Sequence, residues 1–240
     1  MSNMLMMKKR EVLKFVTEQA NDCSVEIGFD RDRLEREWYS SGCSDYSIYD
    51  SQDYISELIY CWSEYSKGYL KNLLKLNLLP TDPKRIIDLG CGLGLSTLAL
   101  KQIFPQAEVI GTNLKGSNQF KLCNHLASKN GFHIEENFND AGHCDFVFAS
   151  EYFEHIRNPI DHLFDLIERT KPKSLYVANS FAARSSGHFD SYIVDSQQVD
   201  NKKMGKIFNS EMRLHGYEKI STTLWNDRPT YWKLSDLDGL

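Results

Sequence analysis

Asp88-Leu89-Gly90-Cys91-Gly92-Leu93-Gly94 is the segment whose residue types and spacing say most about chemistry. It follows a short apolar run, Arg85–Leu89, and precedes a helical pattern over 96–104 that Pro105 stops. Glycines at such a turn permit positive φ and let a ligand approach the backbone, while the helix N-terminus beyond favours electron-rich groups. The dinucleotide fingerprint G-x-G-x-x-G fails here, because the third glycine comes one residue early and Leu95 stands in its place. No Lys-Ser/Thr pair closes the loop, which excludes a P-loop. A carboxylate two residues ahead of the first glycine suits an ammonium-bearing ligand better than a pyrophosphate.

A second cluster is Glu151-Tyr152-Phe153-Glu154-His155. If Glu151 opens a helical turn, Glu154 and His155 share its face. Two carboxylates and an imidazole on one face suit an oxygen-preferring divalent ion such as Mg2+, Mn2+ or Fe2+. His188, in Gly187-His188-Phe189, is a candidate to join them. Three readings stay open for Glu151, Glu154, His155 and His188: a metal site, a general base at His155 or His188, and a purely structural cluster.

Strands and helices in alternation must position these groups. The spacing predicts strands over Glu108–Asn113, Phe132–Glu136, Phe146–Ser150 and Ser174–Phe181, with helices over Ser117–Asn130 and 159–169. Gly131 is placed to end the first helix, and Asn158-Pro159 to open the second. A polar loop over 182–195 follows as a candidate substrate lid, with Arg184 available to an anionic acceptor. A helix around 196–214 and strands over 217–225 and 230–235 complete the chain. The short connection between those last strands forces an antiparallel pair, whereas the helical crossovers before them imply parallel ones.

Residues 1–80 differ in texture, reading as a helical, aromatic-rich cap ahead of a ligand-binding domain over 81–240. Ile55, Leu58, Ile59, Trp62, Tyr69, Leu73 and Leu76 recur at helical spacing, so much of the aromatic set there is cap core. Tyr46 and Tyr49 fall off that stripe and are better candidates to face a pocket. The 240 residues are 41% hydrophobic and 25% charged with a net charge of −5, the profile of a packed globular chain. That balance argues against non-specific binding to a phosphate backbone. Apolar residues precede the lysines at the N-terminus, the wrong order for a signal peptide, and no run approaches the ~18 apolar residues of a membrane helix. Six scattered cysteines without a C-x-x-C pair point to a reducing compartment, so the cytoplasm is the expected location.

The D-x-G-x-G-x-G pattern after a strand resembles the first motif of the class I S-adenosylmethionine-dependent methyltransferases. The resemblance extends over roughly 84–235 in strand order and in the antiparallel C-terminal pair. It implies an α/β, Rossmann-like fold with a mostly parallel seven-stranded sheet and an antiparallel C-terminal hairpin, and S-adenosylmethionine as cofactor. It further implies that Asp88 lies near the methionine amino group and that Gly90, Cys91, Gly92 and Gly94 pass under the cofactor. Asn113, followed by Leu114, stands where the family carries an acid for the ribose hydroxyls. An Asn113→Asp change is accordingly expected to keep or tighten cofactor binding. Asp140 or Asn139, within 137–142, is expected at the adenine, and Ser150 completes the cofactor set.

The E-x-x-E-H motif is similar to that of ubiquinone-biosynthesis O-methyltransferases and small-RNA 2′-O-methyltransferases, where it is linked to a divalent metal. The first expectation for the acceptor is a small molecule taking the methyl on oxygen or nitrogen. A nucleic-acid acceptor is second, with Lys115, Lys121, Lys202, Lys203 and Lys206 as its basic residues. A non-catalytic cofactor-binding partner subunit is third. Nothing in the sequence fixes the oligomeric state.

Overall fold

The computed structural model describes residues 3–139, 141–225 and 229–235. Its centre is a seven-stranded sheet: β1 (Arg85–Leu89), β2 (Glu108–Thr112), β3 (His133–Glu135), β4 (Phe146–Ser150), β5 (Ser174–Ala178), β8 (Tyr217–Ile220) and β9 (Pro229–Leu234). The spatial order is β3-β2-β1-β4-β5-β9-β8, with the first five parallel and β9 antiparallel to both neighbours. Central strands such as Phe146–Ala149 are buried on both faces, as near-continuous apolar runs in a parallel sheet must be. The chain reverses direction of travel across the sheet between β1 and β4. The carboxyl ends of those two strands therefore flank a crevice, the place where open α/β sheets hold ligands.

Helices α5 (Leu95–Ile103), α6 (Asn118–Asn130) and α7 (Pro159–Thr170) cross over between strands. Their ends follow the local sequence. Ser117 caps α6 by accepting from the Phe120 amide at 3.1 Å, Gly131 ends it at φ +71°, and Pro159 opens α7.

The C-terminal half departs from expectation in places, and β5 stops at Ala178 rather than Phe181. The stretch read as loop and early helix contains a small hairpin, β6 (Ser191–Val194) and β7 (Gln197–Asp200). Asp195 and Ser196 make its two-residue turn at φ +49° and +63°, a geometry that short polar residues tolerate. Helix α8 (Asn201–Leu214) therefore starts later than 196, where the Asp200 side chain accepts from the Lys202 amide at 2.9 Å. The strand read over 217–225 likewise stops at Ile220.

Ahead of the sheet lie α1 (Lys9–Asp22), α2 (Arg31–Ser40), α3 (Gln52–Cys61) and α4 (Lys67–Lys75). The last two are joined without a break by a π-helical turn, Trp62–Ser66. These elements share the sheet's cores. Val12, Val16, Ile59 and Leu70 pack in one cluster with Ile86, Leu98 and Phe146, while Leu34 and Trp38 pack in another with Val147 and Leu175. Among the described residues no helix is long and apolar enough to cross a membrane, and all six cysteines are free.

Candidate active site

The turn after β1 is built on three left-handed glycines, Gly90 at φ +61°, Gly92 at +54° and Gly94 at +77°. A Cβ at Gly90 would lie 2.3 Å from the Tyr152 ring, and one at Gly92 would lie 2.9 Å from Leu58. Gly90 and Gly92 face the crevice. Gly94 does not: it starts α5 and packs toward Cys123 and Phe132, so it shapes the turn without lining the cavity. The loop is moored to β2, with the Gly90 amide donating to Thr112 Oγ1 at 3.0 Å and the Cys91 amide to the Thr112 carbonyl at 2.9 Å.

Asp88, the penultimate residue of β1, is buried at the crevice floor, accepting from Ser96 Oγ at 2.7 Å and Thr97 Oγ1 at 2.6 Å. Burial pushes its carboxyl up to about 7, against the pull of those two hydroxyls. A buried carboxylate at the mouth of a helix N-terminus is poorly solvated, and a ligand ammonium would restore the ionised form.

Asn113 follows β2 and is buried. Its Nδ2 donates to the Gly92 carbonyl at 2.6 Å and to Cys123 Sγ at 3.1 Å, while Oδ1 accepts from the Leu114 amide at 2.8 Å. Asn113 thus clamps the glycine loop from below, a job that needs a donor, and a carboxylate has none.

These groups surround a cavity of about 620 Å3 that also takes in Cys91, Leu114 and Ser150. Its size lies within the range of small-molecule sites. Asp140 lies outside the described residues. Of its described neighbours over 137–142 none lines the cavity, whereas Glu136, just ahead of them, does.

The turn after β4 contradicts the expected shared helical face. Glu151 sits at φ +52°, so the chain cannot continue as a helix there, and only Phe153–His155 form a 3-10 turn. The two carboxyls still meet each other in a hydrogen bond, and the imidazole is turned away from them. Glu151 accepts from Tyr69 Oη at 2.8 Å, and Glu154 is fully buried, accepting from the Ser180 amide at 2.8 Å. His155 instead faces Tyr49, whose hydroxyl lies 3.1 Å from Nδ1, and its ring meets that of His188 edge-on at 4.8 Å. Among the described residues no three His, Cys, Asp or Glu side chains gather as a metal-ligand set, so the quartet expected from the sequence does not form. The donor set does not fit a divalent ion.

Burial pushes both carboxyls up, and the charge of Glu151 raises Glu154 further. Burial pushes His155 well below the usual imidazole range, and its neighbour His188 adds to that. His188 is lowered by burial as well, and its Nδ1 lies 3.0 Å from the Ala183 carbonyl, which fixes the proton on that nitrogen. Burial therefore favours the neutral form of both histidines.

The cap closes the cavity from above. Tyr46 and Tyr49 both line it, as expected, and Trp38 Nε1 donates to the His188 carbonyl at 2.5 Å. Arg184 is not free for an anion: it pairs with Glu35 at 3.3 Å and lies 4.1 Å from the Tyr39 ring centre. Several wall residues escaped the sequence reading. Ser66, whose Oγ lies 2.8 Å from Ser150 Oγ, comes from the π-helical turn. Trp225 and the Arg31–Glu57 pair come from segments that carry no motif. The π turn has no spacing signal, because the apolar stripe reads through it as ordinary helix.

Crevice, glycine cradle and buried acid together fit S-adenosylmethionine. A family model described as a methyltransferase domain matches residues 61–220, starting inside the cap helix and spanning the sheet through β8. The trans-aconitate 2-methyltransferase of Rhodopseudomonas palustris (strain BisB18) is 32% identical over 94 residues, which are 38% of this chain and 36% of that enzyme. The chain thus matches about a third of the length of that relative. Among solved structures, an O-methyltransferase family protein from Burkholderia thailandensis matches over 82% of this chain and 63% of its own at 13% identity, with a TM-score of 0.51. A putative O-methyltransferase from Nostoc punctiforme PCC 73102 matches over 94% of this chain and 71% of its own at 14% identity and 0.50. A small RNA methyltransferase matches over 70% and 25% at 12% identity and 0.50. At those identities the likeness concerns the fold alone. With the family model covering two thirds of the chain, this protein belongs to the methyltransferase-domain family.

Proposed function

We propose that the protein methylates a small-molecule acceptor on oxygen or nitrogen, with His155 as the group that takes up the acceptor's proton. The observation that carries this reading is the Tyr49–His155 contact, 3.1 Å long, inside the same enclosed cavity as Asp88 and the glycine loop. The cofactor, when bound, supplies an electrophilic methyl on a sulfonium. Asp88 holds the ammonium end, and Gly90, Cys91 and Gly92 bring backbone against the ligand. Leu114 and Ser150 border it, and Asn113 keeps the loop in place from beneath rather than reaching for the ribose.

In-line displacement asks chiefly that nucleophile and methyl carbon be held in register, so enclosure by the cap is itself catalytic. A hydroxyl acceptor needs a base, a role for which neutral His155 is suited; a neutral amine needs none. His188, tied to Ala183, serves to orient the His155 ring. No step runs through a divalent ion, because Glu151 and Glu154 are engaged by Tyr69 and Ser180.

An acceptor with several carboxylates, such as the one named for the Rhodopseudomonas relative, is the competing small-molecule reading. A nucleic-acid acceptor gains no support from the cavity wall, which holds no lysine among the described residues. The protein acts in the cytoplasm. The test is incubation of the chain with methyl-labelled cofactor and either a metabolite extract or an RNA fraction. Label in the metabolite fraction supports the reading, and label only in RNA overturns it.

A further inference from the structure

We infer that the acceptor is an uncharged aromatic molecule methylated on a phenolic hydroxyl, an assignment that rests on the small-molecule reading above. The charged groups of the wall are engaged by neighbouring side chains. Of the 28 lysines and arginines in the chain, only Arg31 and Arg184 border the cavity among the described residues. Both are engaged: Arg31 pairs with Glu57 and lies 3.7 Å above the Tyr60 ring, and Arg184 is held by Glu35 and Tyr39. An anionic acceptor would lose its hydration and meet no free cation in return among the described residues.

The acids are engaged too. Glu57 is neutralised by Arg31, and Glu136 lies 3.3 Å from Lys115 Nζ. Glu151 is bonded to Tyr69, while Asp88 faces the loop that takes the cofactor. A cationic acceptor therefore finds no free carboxylate at the His155 end. What the wall offers there is ring surface. Tyr46 stacks on Tyr49 at 6.1 Å and 27°, and Tyr49 meets Tyr54 edge-on at 4.9 Å. This surface ends on His155, so a flat ring laid against it by stacking or edge contact brings a ring hydroxyl to the imidazole.

The phenolic oxygen's lone pair forms the new O–CH3 bond, and the electrons of the breaking S–CH3 bond return to sulfur, which ends as a neutral thioether. The phenolic proton passes to the His155 ring.

Two measurements on the full chain test this. With S-adenosylhomocysteine bound, 2-naphthol should bind at least about tenfold more tightly than propane-1,2,3-tricarboxylate or ethanolamine, read by ligand-detected NMR titration. Equal or reversed affinities overturn the aromatic assignment. Tyr46→Ala, at a half-exposed position on the cavity mouth, should weaken 2-naphthol about fivefold or more and leave S-adenosylhomocysteine affinity unchanged. No weakening would overturn it equally. In the labelling experiment, methyl label should appear in the neutral, ultraviolet-absorbing metabolites as an aryl ether. Label in the aliphatic anions overturns this inference while leaving the small-molecule reading standing, and label confined to RNA overturns both.

Discussion

Tyr49 Oη and His155 Nδ1 lie 3.1 Å apart, joining a residue of the N-terminal cap to the turn after β4 across 106 positions of sequence. The proposed base, His155, therefore depends on the docked cap for this contact. His155→Ala should lower kcat by roughly 10²–10⁴-fold, the usual worth of a positioned base. Tyr49→Phe should lower it by roughly tenfold, and both should leave S-adenosylhomocysteine affinity within about threefold by calorimetry. Full turnover in His155→Ala would remove this residue from the chemistry.

Asp88 makes cofactor affinity depend on pH in a definite direction. Its carboxyl is raised to about 7 in the free protein, so below that the site is protonated and cannot pair with an ammonium. Affinity for S-adenosylhomocysteine should rise about tenfold per unit up to roughly pH 7 and flatten above it. A flat profile between pH 5 and 8 would contradict the assignment.

The same shift has a stability counterpart of opposite sense. An acid whose folded value is raised from 3.8 to about 7 makes the folded state lose stability as pH climbs through that interval, by about 4 kcal/mol in all. Asp88→Asn removes that penalty and keeps an acceptor for Ser96 and Thr97. It should raise Tm at pH 8, leave it nearly unchanged at pH 4, and cost most of the cofactor affinity.

Asn113→Asp is predicted to weaken cofactor binding about tenfold. The sequence suggested the reverse, since an acid is the family's residue after β2. In the structure the Asn113 amide donates to the Gly92 carbonyl at 2.6 Å, where a carboxylate would face that carbonyl with no proton between them. Calorimetry with S-adenosylhomocysteine decides between the two.

Chelation supplies a further check. Because Glu151, Glu154 and His155 are spent on Tyr69, Ser180 and Tyr49, EDTA should change turnover less than twofold, and added Mg2+ should restore nothing. A chelator-sensitive rate recovered by Mg2+ would show that the turn rearranges into a ligand set.

What could be read in advance followed how local the determinants are. The glycine loop, the Ser117 and Pro159 helix starts and the antiparallel C-terminal pair are each set by a few adjacent residues, and all were legible. The β6–β7 hairpin was missed because its turn uses Asp195 and Ser196 rather than glycine or Asn-Gly. The post-β4 turn was misread because nothing in the sequence reveals that Glu151 adopts positive φ, and that backbone angle keeps the two carboxyls together while His155 faces Tyr49 instead. Asn113's role needed the position of Gly92, which no pattern within β2 contains. The charge pairing of the cavity wall is the most distant of all, since Arg184 and Glu35 come together only through the tertiary fold.

The π-helical turn at Trp62–Ser66 has an evolutionary and engineering reading. A single wide turn in an otherwise regular helix is what one inserted residue leaves behind, and each residue of an α-helix advances its neighbours by about 100°. Deleting one residue between 62 and 66 would therefore keep the helix and its length almost intact while swinging one half of it about its own axis. Either the side chains that dock on the sheet or those that overhang the crevice would then point the wrong way. The chain's catalytic enclosure is thus held in phase by one residue more than a regular helix would need.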